Sequence, residues 1–257
     1  MNKTNRRAIW VLIVISTGLI LLASCSGSKE EIETESWINK PLKKWPHIAL
    51  TNNIVFDDTT YIDIANGFLV DTGTDTLAVT VKHFFSLFST MGLMTVDFQG
   101  KLESWKMYPR NSRDDIVVLG DLINRNPSEV AAIPNTTNNE DWLVFKVESA
   151  SSNIHPLTIG DGSVRAGEYL YNLGWTMNDK DNPPNLYKFK VYRIVGNQIF
   201  MEPIEFPDNP GGISGSPLFN RQGQLVGISS GGEGGLARAC SVYYLLEVLE
   251  KHKARLQ

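Results

Sequence analysis

The stretch most suited to chemistry is residues 210–219, Pro-Gly-Gly-Ile-Ser-Gly-Ser-Pro-Leu-Phe, which places Ser214 on a glycine-rich turn. A serine there can act as a nucleophile, because its small neighbours let the backbone approach a substrate carbonyl closely. Successive backbone N–H groups of such a turn can also converge on the carbonyl oxygen as it gains negative charge. The same pattern also occurs in a Gly-Ser loop between two strands, so the other parts of a site have to be present.

A serine hydroxyl is a poor nucleophile at neutral pH and needs a base within hydrogen-bonding distance. Of the four histidines, His83 is the one that closes an apolar run, Leu-Ala-Val-Thr-Val-Lys-His, which begins at Leu77. The other three are His47 ahead of the predicted strands, His155 in a predicted loop and His252 near the end of the chain. Imidazole has a reference pKa near 6.5, so it can accept the serine proton and return it to a leaving amine.

These two segments together resemble the motifs of trypsin-like serine proteases. The nucleophile motif of that family is Gly-x-Ser-Gly-(Gly/Ser)-Pro, and residues 212–217 fit every fixed position. The Gly-Ser-Pro form, followed by Gly-Ile-Ser-Ser-Gly-Gly at residues 227–232, is most similar to the bacterial glutamyl-endopeptidase branch. The resemblance implies a triad in the chain order His, Asp, Ser, in which the carboxylate fixes the histidine tautomer.

The carboxylate of this triad has two candidates. Asp115 begins Asp-Ile-Val-Val-Leu, and Asp141 begins Asp-Trp-Leu-Val-Phe, so each precedes a predicted strand. The succession of residues 156–174 after Asp141 resembles the segment that links the two barrels of bacterial trypsin-like proteases. We therefore predict Asp141, with Asp115 as the alternative.

The resemblance also implies the groups that would hold the substrate. Backbone N–H groups of Gly212 and Ser214 would form the oxyanion hole, and Ser229, Gly231 and Asp208 would lie at the substrate-binding pocket. Ser229 stands where glutamyl endopeptidases carry a histidine, so glutamate specificity does not transfer. Asp208 lies six residues before the nucleophile, where trypsin carries the Asp that attracts Arg and Lys.

Ile213 marks another departure from many animal relatives of the family. They carry at this position the Asp that pairs with a freed N-terminus on activation, so that ion pair is not expected here. An isoleucine removes no backbone donor, and the oxyanion hole is therefore expected to remain.

Composition limits the cofactors and partners of the protein. The histidines lack metal-ligand spacing such as His-Glu-x-x-His, and the chain holds only two cysteines, Cys25 and Cys240, so we predict no metal and no other cofactor. The net charge is −4 without a basic cluster, which makes nucleic acid an improbable partner. The predicted partner is a protein or peptide substrate. A cysteine nucleophile at Cys240 is disfavoured, because its surroundings indicate a strand.

The N-terminus indicates export and lipid anchoring. Residues 1–24 carry three basic residues followed by an apolar stretch, the pattern of a signal peptide. The stretch ends Leu-Ala-Ser-Cys, which resembles the bacterial lipobox and predicts lipidation of Cys25. Residues 25–45 are predicted to form an acidic tether, in which Trp37 and Trp45 can dock onto the domain. The expected location is the bacterial cell envelope, at the outer membrane, facing the periplasm or the surface.

Short strands separated by turn residues must position these groups, which indicates an all-β barrel or sandwich. Strands are predicted at Tyr61–Ala65, Gly67–Val70, Thr76–Val81, Met94–Phe98, Ile116–Leu119, Trp142–Val147, Glu168–Leu173, Tyr187–Ile194 and Gln224–Ile228. Near Ser241 an i, i+3, i+4, i+7 apolar pattern predicts a helix. The family resemblance implies two antiparallel six-stranded β-barrels, residues 46–150 and 151–257, the second ending in that helix.

Two other functions fit parts of the sequence. An α/β-hydrolase is disfavoured, because Ser216 occupies the last glycine of its Gly-x-Ser-x-Gly motif and no Asp lies between Ser214 and His252. A trypsin-fold lipoprotein that binds a partner without cutting it remains the alternative, since a fold can be retained after its original function is lost. The retained candidates for every triad position favour an active endopeptidase that forms an acyl-enzyme on Ser214.

Overall fold

The computed structural model describes residues 34–88, 98–125 and 137–256 of the 257-residue chain. The predicted signal peptide, Cys25 and most of the strand predicted at Met94–Phe98 lie outside these ranges. No helix within the described ranges has the length and apolar character needed to cross a membrane.

The first half of the described chain forms a closed barrel of six antiparallel strands. They are β1 (Leu50–Phe56), β2 (Thr60–Asp71), β3 (Thr76–Thr80), β4 (Leu102–Tyr108), β5 (Val117–Leu122) and β6 (Leu143–Ala150). The strand order is β1-β4-β5-β6-β3-β2, and the pairing of β1 with β2 closes the barrel. A short strand after it, β7 (Leu157–Thr158), adds to β2 in parallel.

The second half forms another closed antiparallel barrel. Its strands are β8 (Tyr169–Gly174), β9 (Asn185–Val195), β10 (Gln198–Glu205), β11 (Pro217–Phe219), β12 (Leu225–Glu233) and β13 (Leu236–Ser241), in the order β10-β13-β12-β11-β8-β9. The described helices are α1 (Phe84–Phe88), α2 (Thr137–Glu140) and α3 (Val242–Leu256), with 3-10 turns at Leu42–Lys44 and Phe98–Gly100. The prediction of two six-stranded antiparallel barrels with a C-terminal helix is confirmed.

Apolar side chains fill both barrels and join them. One cluster of buried residues spans the first barrel and includes Phe219, Leu225 and Ile228 of the second, while a smaller cluster fills the second barrel. Trp37 is buried as well, with its ring 5.6 Å from that of Phe219. Burial of this apolar surface is the main force that holds the two barrels together.

Strand β2 contains two bulges that the sequence did not indicate. Asp63 and Ala65 have φ values of 57° and 47°, and the register with β1 shifts beside each of them. Left-handed backbone is costly for residues other than glycine, so contacts with other groups must hold Asp63 and Ala65 in this conformation. The predicted break at Asn66-Gly67 is wrong, because the bulges let β2 run on through both residues as one bent strand.

Helix α3 is positioned by its amphipathic face. Val242, Leu245 and Leu249 of the predicted stripe are buried, and Leu246 packs partly buried against the same cluster. The backbone N–H of Tyr243 donates to the hydroxyl of Ser241, which caps the helix at the residue where its start was predicted.

Candidate active site

His83 and Asp141 meet at the end of β3 and the start of β6. His83 Nδ1 donates to Asp141 Oδ2 at 2.7 Å, and the backbone N–H of His83 donates to Oδ1 of the same carboxylate at 2.8 Å. Asp141 is fully buried, whereas about a third (32%) of the His83 side chain is exposed. With Nδ1 carrying the proton, Nε2 is left as a proton acceptor.

A third donor to this carboxylate comes from the second barrel. The hydroxyl of Ser230, in β12, donates to Asp141 Oδ2, the same oxygen that accepts a hydrogen bond from His83 Nδ1. A buried polar group is costly unless it is hydrogen-bonded, and this contact adds a third donor to the buried carboxylate. The Ser230 contact therefore ties β12 to the His83 region.

In the turn that carries Ser214, most backbone carbonyl oxygens accept a hydrogen bond from another residue. Gly211 O accepts from Met177 N at 2.7 Å, Gly212 O from Asn66 Nδ2 at 2.8 Å, and Ser214 O from Asn66 N at 2.7 Å. Ile213 O accepts from the N–H of the residue three positions further on. Acceptors on this turn are therefore held by protein donors.

Two N–H groups of the same turn have no such partner. Among the described residues, the N–H groups of Gly212 and Ser214 donate no hydrogen bond, whereas Ile213 N donates to Pro210 O at 3.2 Å. Gly212 has a φ of 92°, so residues 210–213 form a type II turn, which needs glycine at this position. Because the C=O and N–H of a trans peptide point in opposite directions, the Met177 bond to Gly211 O turns the Gly212 N–H away from Met177.

Asn66 and Gly215 bring this turn against the first barrel. A Cβ at Gly215 would lie only 2.0 Å from Asn66 O and 3.2 Å from Thr80 Oγ1, so a larger residue cannot occupy the position. Thr80 is three residues before His83 and donates to Asn66 O at 2.7 Å. The close packing therefore brings the turn with Ser214 to the strand that leads into His83.

Comparison with known families settles what kind of domain this is. The profile of the trypsin-like peptidase domain matches residues 65–228, a range that contains His83, Asp141 and Ser214. The chain belongs to the trypsin-like peptidase domain family. No curated protein matches the chain in sequence. Membership supports a serine peptidase that acts on proteins or peptides.

Asp115, the alternative carboxylate of this trypsin-like domain, has a different set of partners. It accepts from the side chains of Ser112, Ser151 and Asn153, and its carboxylate lies 3.7 Å from His47 Nε2. These hydrogen bonds, with that of Ser151 foremost, lower the pKa of Asp115 to about 2. The described contacts thus pair Asp141 with His83 and give Asp115 a role in the turn before β5.

The residues predicted at the substrate pocket lie on two segments of the second barrel. Ser229 and Gly231 are in β12, where Ser229 is buried and its hydroxyl accepts from Asn172 Nδ2 at 2.9 Å. Gly231 is exposed, with a φ of 142°. Asp208 is exposed in the loop between β10 and the Ser214 turn.

Cys240 is unsuited to be a nucleophile. It is fully buried in β13, and burial foremost raises the pKa of its thiol to about 12. A thiol at that pKa is almost entirely protonated at neutral pH, and the thiolate is the reactive form.

Sequence reasoning missed the residues that join the two halves of the site. Asn66 is fully buried and lies in an Asn-Gly pair, which ordinarily indicates a turn. Ser230 follows Ser229, and nothing in the sequence signals its contact with Asp141. The register of β12 with β13 shifts at this residue, so side-chain alternation along the strand does not apply there.

Proposed function

We propose that the protein is a serine endopeptidase in which Ser214 attacks a peptide carbonyl, with His83 as the base and Asp141 as its orienting carboxylate. The observation that carries the proposal is the 2.7 Å hydrogen bond from His83 Nδ1 to the fully buried Asp141. It selects the tautomer whose Nε2 can take a proton, as a serine nucleophile requires.

The chemistry follows from these groups. As the Ser214 Oγ–C bond forms, the hydroxyl proton passes to His83 Nε2, and the negative charge on the former carbonyl oxygen is bound by the N–H groups of Gly212 and Ser214. His83 then gives the proton to the leaving amine as the C–N bond breaks, which leaves an acyl-enzyme. Water, deprotonated by His83, hydrolyses that ester and restores Ser214.

An extended peptide is the substrate form that β12 can accept. Residues 231–233 pair with β13 on one side, and no described strand pairs with their other edge, because β11 covers β12 only as far as Ile228. A free strand edge can bind a peptide through main-chain hydrogen bonds. Ser229, Gly231 and Asp208 would contact the bound substrate, without a preference for glutamate.

The proposal is tested by labelling the purified full-length chain with a fluorophosphonate, which reacts only with an activated serine. We expect labelling of the wild type and none of Ser214→Ala. The matched control is Ser216→Ala, two residues away in the same motif, whose hydroxyl is buried without a hydrogen-bond partner among the described residues. This control should label at the wild-type rate, because it removes no contact of the site.

Absence of labelling in a correctly folded wild type would contradict the endopeptidase and favour the binding module. Labelling that persists in Ser214→Ala would show a different nucleophile. A protease restricted to one envelope target would label with the probe yet leave denatured protein uncut.

We also propose that the protein is held in the bacterial cell envelope through lipid on Cys25. Support comes from the signal-peptide pattern and the Leu-Ala-Ser-Cys box of residues 22–25. Several acyl chains on one residue would anchor the protein stably, since a single chain binds a bilayer only marginally.

Growth of expressing bacteria with an alkyne analogue of palmitate tests this anchor. We expect the analogue to be incorporated into the wild type and not into Cys25→Ser, which should move from the membrane fraction to the soluble one. Cys240→Ser is the matched control and should keep both label and membrane. A wild type without label would refute the anchor.

A further inference from the structure

Arg110 is a charged residue that neither the triad nor the substrate strand uses. It follows β4 in the first barrel and is only 3% exposed. Burial lowers the pKa of its guanidinium, while the carboxylates of Asp63 and Asp179 oppose that shift. A buried charge is costly unless its donors are satisfied, so the partners of Arg110 show what it holds.

Those partners are mainly backbone carbonyls on both barrels. Arg110 Nη1 donates to Thr176 O at 2.9 Å and to Asp179 O at 2.8 Å, in the loop after β8. Nη2 donates to Asp63 O, the first bulge of β2, at 2.9 Å. The guanidinium also lies 5.7 Å from the centre of the Trp175 ring. Arg110 thus joins the loop of residues 175–182 to the first barrel.

The same loop also contacts the turn that carries Ser214. Met177, between the two carbonyls bound by Arg110, donates its N–H to Gly211 O at 2.7 Å. The backbone approach is close, since a Cβ at Gly212 would lie 2.7 Å from Met177 N. This single bond sets the plane of the 211–212 peptide and therefore the direction of the Gly212 N–H.

The side chain of Ile213 has no polar group that could fix the turn. Its side chain is buried within the apolar cluster of the second barrel. Asn66 fixes the start of the loop, because its side chain bonds both Trp175 and Gly212. The part of the loop that carries Met177 is held by Arg110 and by hydrogen bonds within the loop, such as that of Thr176 N to Asp179 Oδ2 at 2.7 Å.

We propose that Arg110 is a positioning residue, which fixes the loop of residues 175–182 so that Met177 keeps the Gly212 N–H turned toward the oxyanion. The inference rests on the proposed function for its catalytic consequence. Its structural part, that Arg110 orders the loop and the turn, can be tested whether or not the protein cuts peptides.

The test compares Arg110→Met with Arg113→Met in the full-length chain. Methionine preserves the apolar stem and removes the donors of Arg110. Arg113 is the matched control, because it belongs to the same network but is 42% exposed and bonds the carboxylates of Asp63 and Asp181. Fluorophosphonate labelling rates are measured over pH, together with amide hydrogen exchange of residues 175–182 and 209–215.

Arg110→Met should label about 30-fold more slowly than wild type, because a misplaced donor costs somewhat less than the 10²–10³-fold loss of a removed one. The midpoint of its pH profile should stay unchanged, since His83 and Asp141 are untouched, and exchange in both segments should rise. Arg113→Met should remain within about twofold of wild type. A wild-type rate in Arg110→Met, or an equal loss in Arg113→Met, would overturn the inference.

Met177→Pro tests the same step if Arg110→Met fails to fold. Proline is favoured at the second position of the turn at residues 176–179 and lacks the N–H that holds Gly211 O. We expect the same slow labelling, and a wild-type rate would contradict the inference. Should the wild type itself not label, the proposed function fails, and hydrogen exchange alone decides: equal exchange in wild type and Arg110→Met rules out the positioning role.

Discussion

Asp141→Asn should lower kcat/KM for peptide hydrolysis about 10⁴-fold, the loss typical of an amide at this position of a Ser-His-Asp triad. The asparagine amide would present a donor to His83 Nδ1, so the ring proton would move to Nε2. Such a histidine cannot accept the proton of Ser214. The fold should tolerate the change, since an amide oxygen can still accept from the backbone N–H of His83.

Asp115→Asn is the matched control and also separates the two carboxylates that the sequence left open. It should keep kcat/KM within about twofold, because Asp115 bonds Ser112 in its own turn and Ser151 and Asn153 after β6, and none of these residues contacts His83. Kinetics with a fluorogenic peptide, alongside circular dichroism of both variants, make the comparison. A large loss in Asp115→Asn with little loss in Asp141→Asn would reverse the assignment.

The barrels and the parts of the site that lie within one strand or one turn could be predicted from the sequence. The Ser214 turn needs glycine for its backbone, and the run before His83 is plainly apolar. Strand β1 was missed because Thr51 and Asn52 are polar yet fully buried, with their side chains bonded to carbonyls of β2. Polar residues in that pattern ordinarily indicate a loop.

The contacts that join the barrels were beyond prediction for a different reason. Asn66 and Gly212 are 146 residues apart in the chain, and no local pattern couples them. The bulges at Asp63 and Ala65 change which way β2 faces, and side-chain alternation alone cannot anticipate an inserted residue. The sequence likewise indicates an exposed charge at Arg110, because its burial depends on carbonyl partners that are distant in the chain.

Asn66 joins the two barrels through a single side chain. Its Nδ2 donates to Trp175 O at 2.9 Å and to Gly212 O at 2.8 Å, while its Oδ1 accepts from Trp175 N at 3.0 Å. Removal of this amide would leave three backbone groups without partners in a buried junction. Each such group costs about 1–3 kcal/mol, with part of the sum regained by relaxation.

Asn66→Ala is therefore expected to lower the free energy of unfolding by about 4 kcal/mol, measured by urea denaturation. Asn53→Ala is the matched control in neighbouring β1, because Asn53 Oδ1 has no hydrogen-bond partner among the described residues, and its loss should stay below about 1 kcal/mol. Asn66→Asp should be worse than alanine, since a carboxylate would face two carbonyl oxygens without a proton to donate. A loss below 1 kcal/mol in Asn66→Ala would mean that backbone contacts at Gly215, with apolar packing, suffice to hold the barrels in register.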